Sequence, residues 1–257
     1  VDDKRYRMSR LLYTGQNEAA LRIADLLSSD MQALAAAWVA VNNGRSNASS
    51  LLEAVPTTLR SDPGYQYARL VQLVRTYHYT DAANLLLDAP TDPDALIDPE
   101  AWSEQRLDVG RALANRSPDL AYRVLTGHST DDRDAVSEIE FVAGWVALRK
   151  LDDASGAIAH FEAVAASSSL PLSQSRAHYW LGRCYDALHQ DAEAEAEYQA
   201  AAAYHATFYG QLALLRLGET DLPLDPDPTI DDDTRAAFLD NDMVQVMIWL
   251  DGLGRRT

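Results

Sequence analysis

A small-then-large spacing on paired helical stretches recurs along this chain and restricts it to one kind of architecture. In YWLGRCYDALHQDAEAEAEYQAAA (179–202), Trp180, Cys184 and Leu188 fall four apart, with Leu181 and Tyr185 in the neighbouring row. That is the apolar stripe of a core-facing helix. Arg183, Asp186 and Gln190 lie off the stripe. Gly182 lies among these apolar positions, where glycine costs roughly 1 kcal/mol of helix propensity against alanine. The spacing therefore predicts a second helix approaching closely at Gly182. Asp191 is the expected N-cap of that helix, with Ala192 its first residue. On it Ala194, Tyr198, Ala201 and Ala202 share a face, while Glu193, Glu195 and Glu197 load the N-terminal half that the helix dipole favours for negative charge. One such pair cannot cover its own stripe and needs neighbours.

The neighbours are present. FVAGWVALRKLDDASGAIAHFEAV (141–164) repeats the logic with Gly144 and Trp145, then Ala157 and Phe161. Gly144 precedes Gly182 by 38 residues, and Ala157 and Phe161 precede Ala194 and Tyr198 by 37. RLDVGRALANRSPDLAYRVL (106–125) offers Gly110, Ala121 and Tyr122, 34 to 39 residues before their counterparts. Looser pairs occupy 67–87 and 6–27. Leu181-Gly182, Tyr185, Ala194, Tyr198 and Ala201 follow the tetratricopeptide pattern, with Ala206 near the place of its usual closing proline. The expected fold is all-α: a right-handed α-solenoid of antiparallel helical hairpins, about seven in number and open as an arc. Each helix of about ten to fifteen residues would span roughly 15–22 Å.

Two stretches break the helical rhythm. LDAPTDPDALIDPE (87–100) holds three prolines and four aspartates and reads as a long surface connection. In GETDLPLDPDPTIDDD (218–233), Pro223, Pro226 and Pro228 exclude a helix. The expected organisation is a helical-hairpin domain over 1–218, a Pro/Asp-rich linker over 219–233, and a further helical region over 234–257. The last apolar run, MVQVMIWL, has no later partner in the sequence, so the array is expected to continue past Thr257. The chain opens VDDKRYR, without an initiator methionine or signal peptide, as a mature or trimmed protein would.

The net charge of −17 and pI near 4.6 argue against a nucleic-acid partner, which demands a basic stripe, and against an anionic lipid surface. No apolar run reaches 18 residues, so no membrane span is expected. A single cysteine, Cys184, allows no internal disulfide and sits on the apolar stripe as a small core residue.

A search for chemistry finds no candidate catalytic residue. DPDPTIDDD places Ile230 where a calcium loop requires glycine, and His78, His128, His160, His178, His189 and His205 show no metal-ligand spacing. No metal or cofactor is expected. Gly-rich phosphate loops and nucleophile elbows are absent from the sequence. Glu138 and Glu140, two apart, point to different helix faces, and acidic residues on these helices read as solvated. Of the tryptophans (Trp38, Trp102, Trp145, Trp180 and Trp249), Trp145 and Trp180 hold repeat packing positions and read as hairpin core.

Residues 175–218 add a resemblance. Tyr179-Trp180-Leu181-Gly182-Arg183, Ala194 to Tyr198, Thr207-Phe208-Tyr209-Gly210-Gln211-Leu212-Ala213 and Arg216-Leu217-Gly218 resemble successive elements of the superhelical region of the soluble lytic murein transglycosylases. The F-Y-G-x-L-A element separates this from a generic tetratricopeptide array. The likeness covers about 130–218 well and fades before 65. It implies a periplasmic protein of a Gram-negative bacterium, with peptidoglycan glycan strands and other cell-wall proteins as partners. It also implies a separate lysozyme-like domain that cleaves the glycan to 1,6-anhydro ends with a glutamate in an E-S motif, followed later by G-L-M-Q. Neither motif occurs in this sequence, so the catalytic glutamate maps to no position here, and no binding residue can be named. The expected function is that of a non-catalytic superhelical region positioning such a domain. A protein-binding tetratricopeptide scaffold with no cell-wall role stays open as the alternative.

Overall fold

The structure is a computed structural model that describes residues 2–219, 221 and 229–253. All regular structure among these residues is helical. Contacts divide the chain into two units, Val1–Thr220 and Asp221–Thr257.

In the first unit helices follow one another as hairpins. They are α1 (Asp2–Tyr13) with α2 (Asn17–Ala24), α3 (Ser29–Asn42) with α4 (Ala48–Ala54), and α5 (Pro63–Arg75) with α6 (Tyr79–Asp88). A short α7 (Pro93–Leu96) precedes α8 (Pro99–Leu113) and α9 (Pro118–Leu125). Then come α10 (Arg133–Lys150) with α11 (Ala154–Ser167), α12 (Pro171–Ala187) with α13 (Asp191–Ala202), and α14 (Phe208–Arg216). Each helix packs on its hairpin partner, and each second helix packs on the first helix of the next hairpin. An all-helical chain of neighbouring hairpins is what the repeat predicted.

The close approach is where the spacing put it. A Cβ added at Gly182 would lie 2.7 Å from the Tyr198 ring, and one at Gly144 would lie 2.9 Å from Phe161. In the preceding hairpin Gly110 meets Leu125, at 2.5 Å, and not Tyr122 as the sequence alignment had it. Leu125 lies four residues after Ala121, the same interval as Ala157 to Phe161 and Ala194 to Tyr198, so helical geometry selects it. Cys184 is fully buried, and burial pushes its thiol up to about 12. Leu188, expected on the same stripe, is 37% exposed because the helix ends at Ala187. The next helix begins one residue before the expected start: Asp191 is its first residue, and Gln190 holds the cap position without a side-chain bond.

In the first unit every hairpin turn except that between α8 and α9 shares one backbone device. The second residue past the first helix is left-handed at Gly15, Gly44, Tyr77, Asp152 and His189, with φ between 55° and 69°. At the last three positions the side chain costs roughly 1–2 kcal/mol, which the packing of both helices offsets.

The 87–100 stretch, exposed from 91 to 94, is more than a surface connection. Asp92 and Asp98 cap the helices that open with Pro93 and Pro99, the Asp-Pro pairing of N-cap and first helical residue. Leu96 is buried. Arg10 of α1 donates to Asp98 Oδ2 (2.8 Å) and to the Ile97 carbonyl (3.2 Å). Tyr13 donates its hydroxyl hydrogen to the Leu96 carbonyl (3.1 Å) and accepts from Trp102 Nε1 (3.0 Å). Around these bonds Tyr13, Trp38, Tyr67 and Trp102, one from the first helix of each of four hairpins, stand ring to ring. Their centroids are 4.9 Å apart for Tyr13–Trp38, 5.8 Å for Trp38–Tyr67 and 5.5 Å for Tyr67–Trp102. Burial pushes the Tyr13 phenol above its ordinary range. Tyr13→Phe leaves the Trp102 N–H buried without an acceptor and should cost about 1–2 kcal/mol in urea unfolding. An unchanged midpoint would show that this bond contributes nothing.

The second unit holds α15 (Asp232–Leu239), capped by Asp231, and α16 (Asp242–Gly252), capped by Asn241, packed as a pair. Thus the helix starts at Asp232, two residues ahead of the expected 234. Pro223, Pro226 and Pro228 lie outside the described residues. Phe238, Met243, Met247 and Trp249 are exposed.

Candidate functional site

Within the hairpins one pair of positions, four before the glycine and one before the residue packed on it, carries a polar link each time. In α8 and α9, Arg106 donates to the Val124 carbonyl (3.1 Å) and also to that of Leu86 (2.9 Å). This guanidinium is buried at 3% exposure, which lowers its pKa to about 10. In α10 and α11 the same positions hold Glu140 and His160, bonded at 2.5 Å. In α12 and α13 they hold His178 and Glu197, bonded at 2.6 Å, with acid and imidazole exchanged.

Glu140 takes a second imidazole, His128 Nε2, at 2.7 Å, and the Tyr122 hydroxyl meets His160 Nε2 at 2.9 Å. With Glu140 accepting, His160 donates from Nδ1 and presents Nε2 to the Tyr122 hydroxyl. Burial pushes the Glu140 carboxyl up, but the two imidazole hydrogen bonds and charges outweigh it and hold it at about 2. Such a carboxylate is ionised at ordinary pH and clamps the two imidazoles. The expectation that acids on these helices face solvent therefore fails at Glu140, whose side chain is 16% exposed. His160 and His178 lie within hairpins and His128 on the connection before α10, each bonded to a carboxylate. No group of three or more such side chains among the described residues is arranged to hold a metal ion.

A groove of about 400 Å³ opens beside this array. Its walls come from α8, α10, α12 and α14, the first helices of successive hairpins and the helix after them: Arg111, Phe141, Trp145, Trp180 and Tyr209 carry its character. Trp180 leans on Phe161 (5.9 Å, 24°) and meets Phe141 edge-on (6.2 Å, 73°). So Trp180 is hairpin core on one side and groove wall on another, and Trp145, half-buried, also lines the groove. The core assignment of these two tryptophans was half of the answer; Trp38 and Trp102 are wholly buried.

The F-Y-G-x-L-A element gains a physical account here. Thr207 caps α14 by accepting from the Gly210 N–H. A side chain at Gly210 would collide with the Tyr204 carbonyl, 2.1 Å from its Cβ. That tight start sets Tyr209 against Tyr179 (5.5 Å) at the groove.

The polar edge is built around Glu138, which accepts from Arg111 (3.1 Å) and Arg176 (2.8 Å). Arg176 in turn lies 4.4 Å over the Phe141 ring. Bridged by two guanidiniums, Glu138 is fixed as a partner for cations. Trp180 Nε1 is buried and has no hydrogen-bond partner; an indole N–H in that state calls for an acceptor. The groove thus offers flat aromatic faces with a guanidinium, bridged to Glu138, at its edge, which is binding chemistry. No family model, curated protein or solved structure matches this chain.

Proposed function

We propose that this chain is a non-catalytic superhelical region of a periplasmic peptidoglycan lytic transglycosylase, a right-handed solenoid of hairpins that engages glycan strands for a catalytic domain. The aromatic groove carries this reading. The apolar faces of pyranose rings stack on flat aromatic side chains, and Trp145 and Trp180 supply such faces on adjacent first helices. Arg111, bridged to Glu138, is the cation at the groove edge that an anionic substituent meets. The elements 179–183 and 207–213, which resemble that family, build this groove through Trp180 and Tyr209.

Co-sedimentation with purified sacculi tests the reading. The chain should pellet saturably with them, and Trp145→Ala should weaken binding about tenfold. Trp180→Phe shortens the aromatic face, and a smaller loss is expected. Binding unaffected by either change would sink the glycan reading. A second reading, a protein-binding scaffold, is favoured by the exposed Met243, Met247 and Trp249 of α16, since exposed Trp and Met side chains are common anchors for partners. It predicts no binding to sacculi.

A further inference from the structure

A second groove, of about 370 Å³, lies between α5 and α6. Its two walls differ in sign. From the α5 side come Gln66, Arg69 and Leu73, at helical intervals of three and four, with Arg60 from the preceding turn. From α6 come Asp81, Leu85 and Asp88, again on one face. Leu73 and Leu85 are the apolar part of the lining.

The four charges are not neutralised by one another. Arg60 donates to the Glu53 carbonyl (2.8 Å), which orients it without cancelling its charge. Arg69, Asp81 and Asp88 make no ion pair within 4.0 Å. Gln66 Oε1 is buried with no donor. Opposite charges facing each other across an open groove, beyond mutual reach, suit a ligand that carries both signs.

Length narrows the ligand. Asp81 sits near the hairpin turn, while Asp88 and Arg60 lie toward its open end. Seven helical residues separate Asp81 from Asp88, about 10 Å, which is the span of about three extended residues. We propose that this groove binds a short zwitterionic peptide of about three residues. Its ammonium pairs with Asp81, its carboxylate pairs with Arg69 and with Arg60, whose two charges outweigh the single Asp88 carboxylate at that end, and small side chains lie on Leu73 and Leu85. This stands whether or not the aromatic groove takes a glycan.

The probe is trialanine, titrated into the whole chain and followed by amide NMR of Gln66 and Asn84, with N-acetyl-trialanine and trialanine amide as blocked controls. Saturable shifts are expected with trialanine, and blocking either end should weaken binding about fivefold, the value of one exposed ion pair. Arg60, Arg69 and Asp81 are all exposed, so variants there keep the fold. Asp81→Asn should weaken trialanine by a similar factor and leave the acetylated peptide unchanged; Arg69→Gln should do the same with respect to the amide. Absence of saturable shifts, equal binding of the blocked peptides, or variants that affect all three probes alike would each overturn the proposal.

Discussion

Phe161→Ala should cost about 3–5 kcal/mol, most of the stability of a chain of ordinary marginal stability. Phe161 is fully buried, touches Phe141 and Trp180, and fills the space over Gly144. Gly144→Ala alone should also destabilise, by about 1–3 kcal/mol, because the new methyl has no room beneath a ring held on every side. Combined, the two changes should be milder than their sum. With the ring gone the methyl enters free space, and alanine's better helix propensity contributes about 1 kcal/mol. Urea midpoints of the two singles and the double measure this. If Gly144→Ala costs the same in both backgrounds, the glycine is not there to admit Phe161.

Acid should weaken the chain through Glu140 in a window set by its carboxyl. Its folded value, about 2, lies below the ordinary 4.5, so the carboxylate's contribution is complete above about pH 5 and disappears as pH falls toward 2. The size is of order 3 kcal/mol, with the side chain only 16% exposed. Glu140→Gln cannot ionise and should lack this dependence. The gap in stability between wild type and Glu140→Gln should be widest near neutrality and shrink at pH 4 and again at pH 3. A gap that stays constant across that range would mean the histidines do not hold the charge.

The later hairpins were legible in the sequence because α10–α11 and α12–α13 each hold a glycine on one helix under a large residue four after an alanine on the other, and such spacings survive without coordinates. The α8–α9 hairpin holds the same pairing, but its large residue, Leu125, is not aromatic and was passed over for Tyr122. Turns were not legible, because Tyr77, Asp152 and His189 adopt the backbone that Gly15 and Gly44 adopt, so glycine marks only some of them. Asp92-Pro93 and Asp98-Pro99 looked like breakers but are helix starts, a signal present in the sequence and weighed too little against proline content. His128, Glu140 and His160 come from a loop and two helices, and no fixed spacing connects them. Once hairpins are aligned on their glycines, though, Glu140 with His160 and His178 with Glu197 fall at equivalent positions. The groove was hidden for a related reason: Trp145 and Trp180 belong to packing positions, and the spacing does not show that both rings stay partly uncovered.

The exchange of acid and imidazole between consecutive hairpins has a consequence for how such a chain finds its partners. Helices built on one plan are nearly interchangeable, and α10 could lie against α13 as readily as α12 against α11. That arrangement would set Glu140, with only His128 left to it, beside a Glu197 without a donor, and leave His178 facing His160, two rings without a carboxylate. Only the native assignment gives every one of the four a complement. The pairs therefore work as an address, telling like-shaped helices apart within one molecule and discouraging the trading of hairpins between two molecules at high concentration.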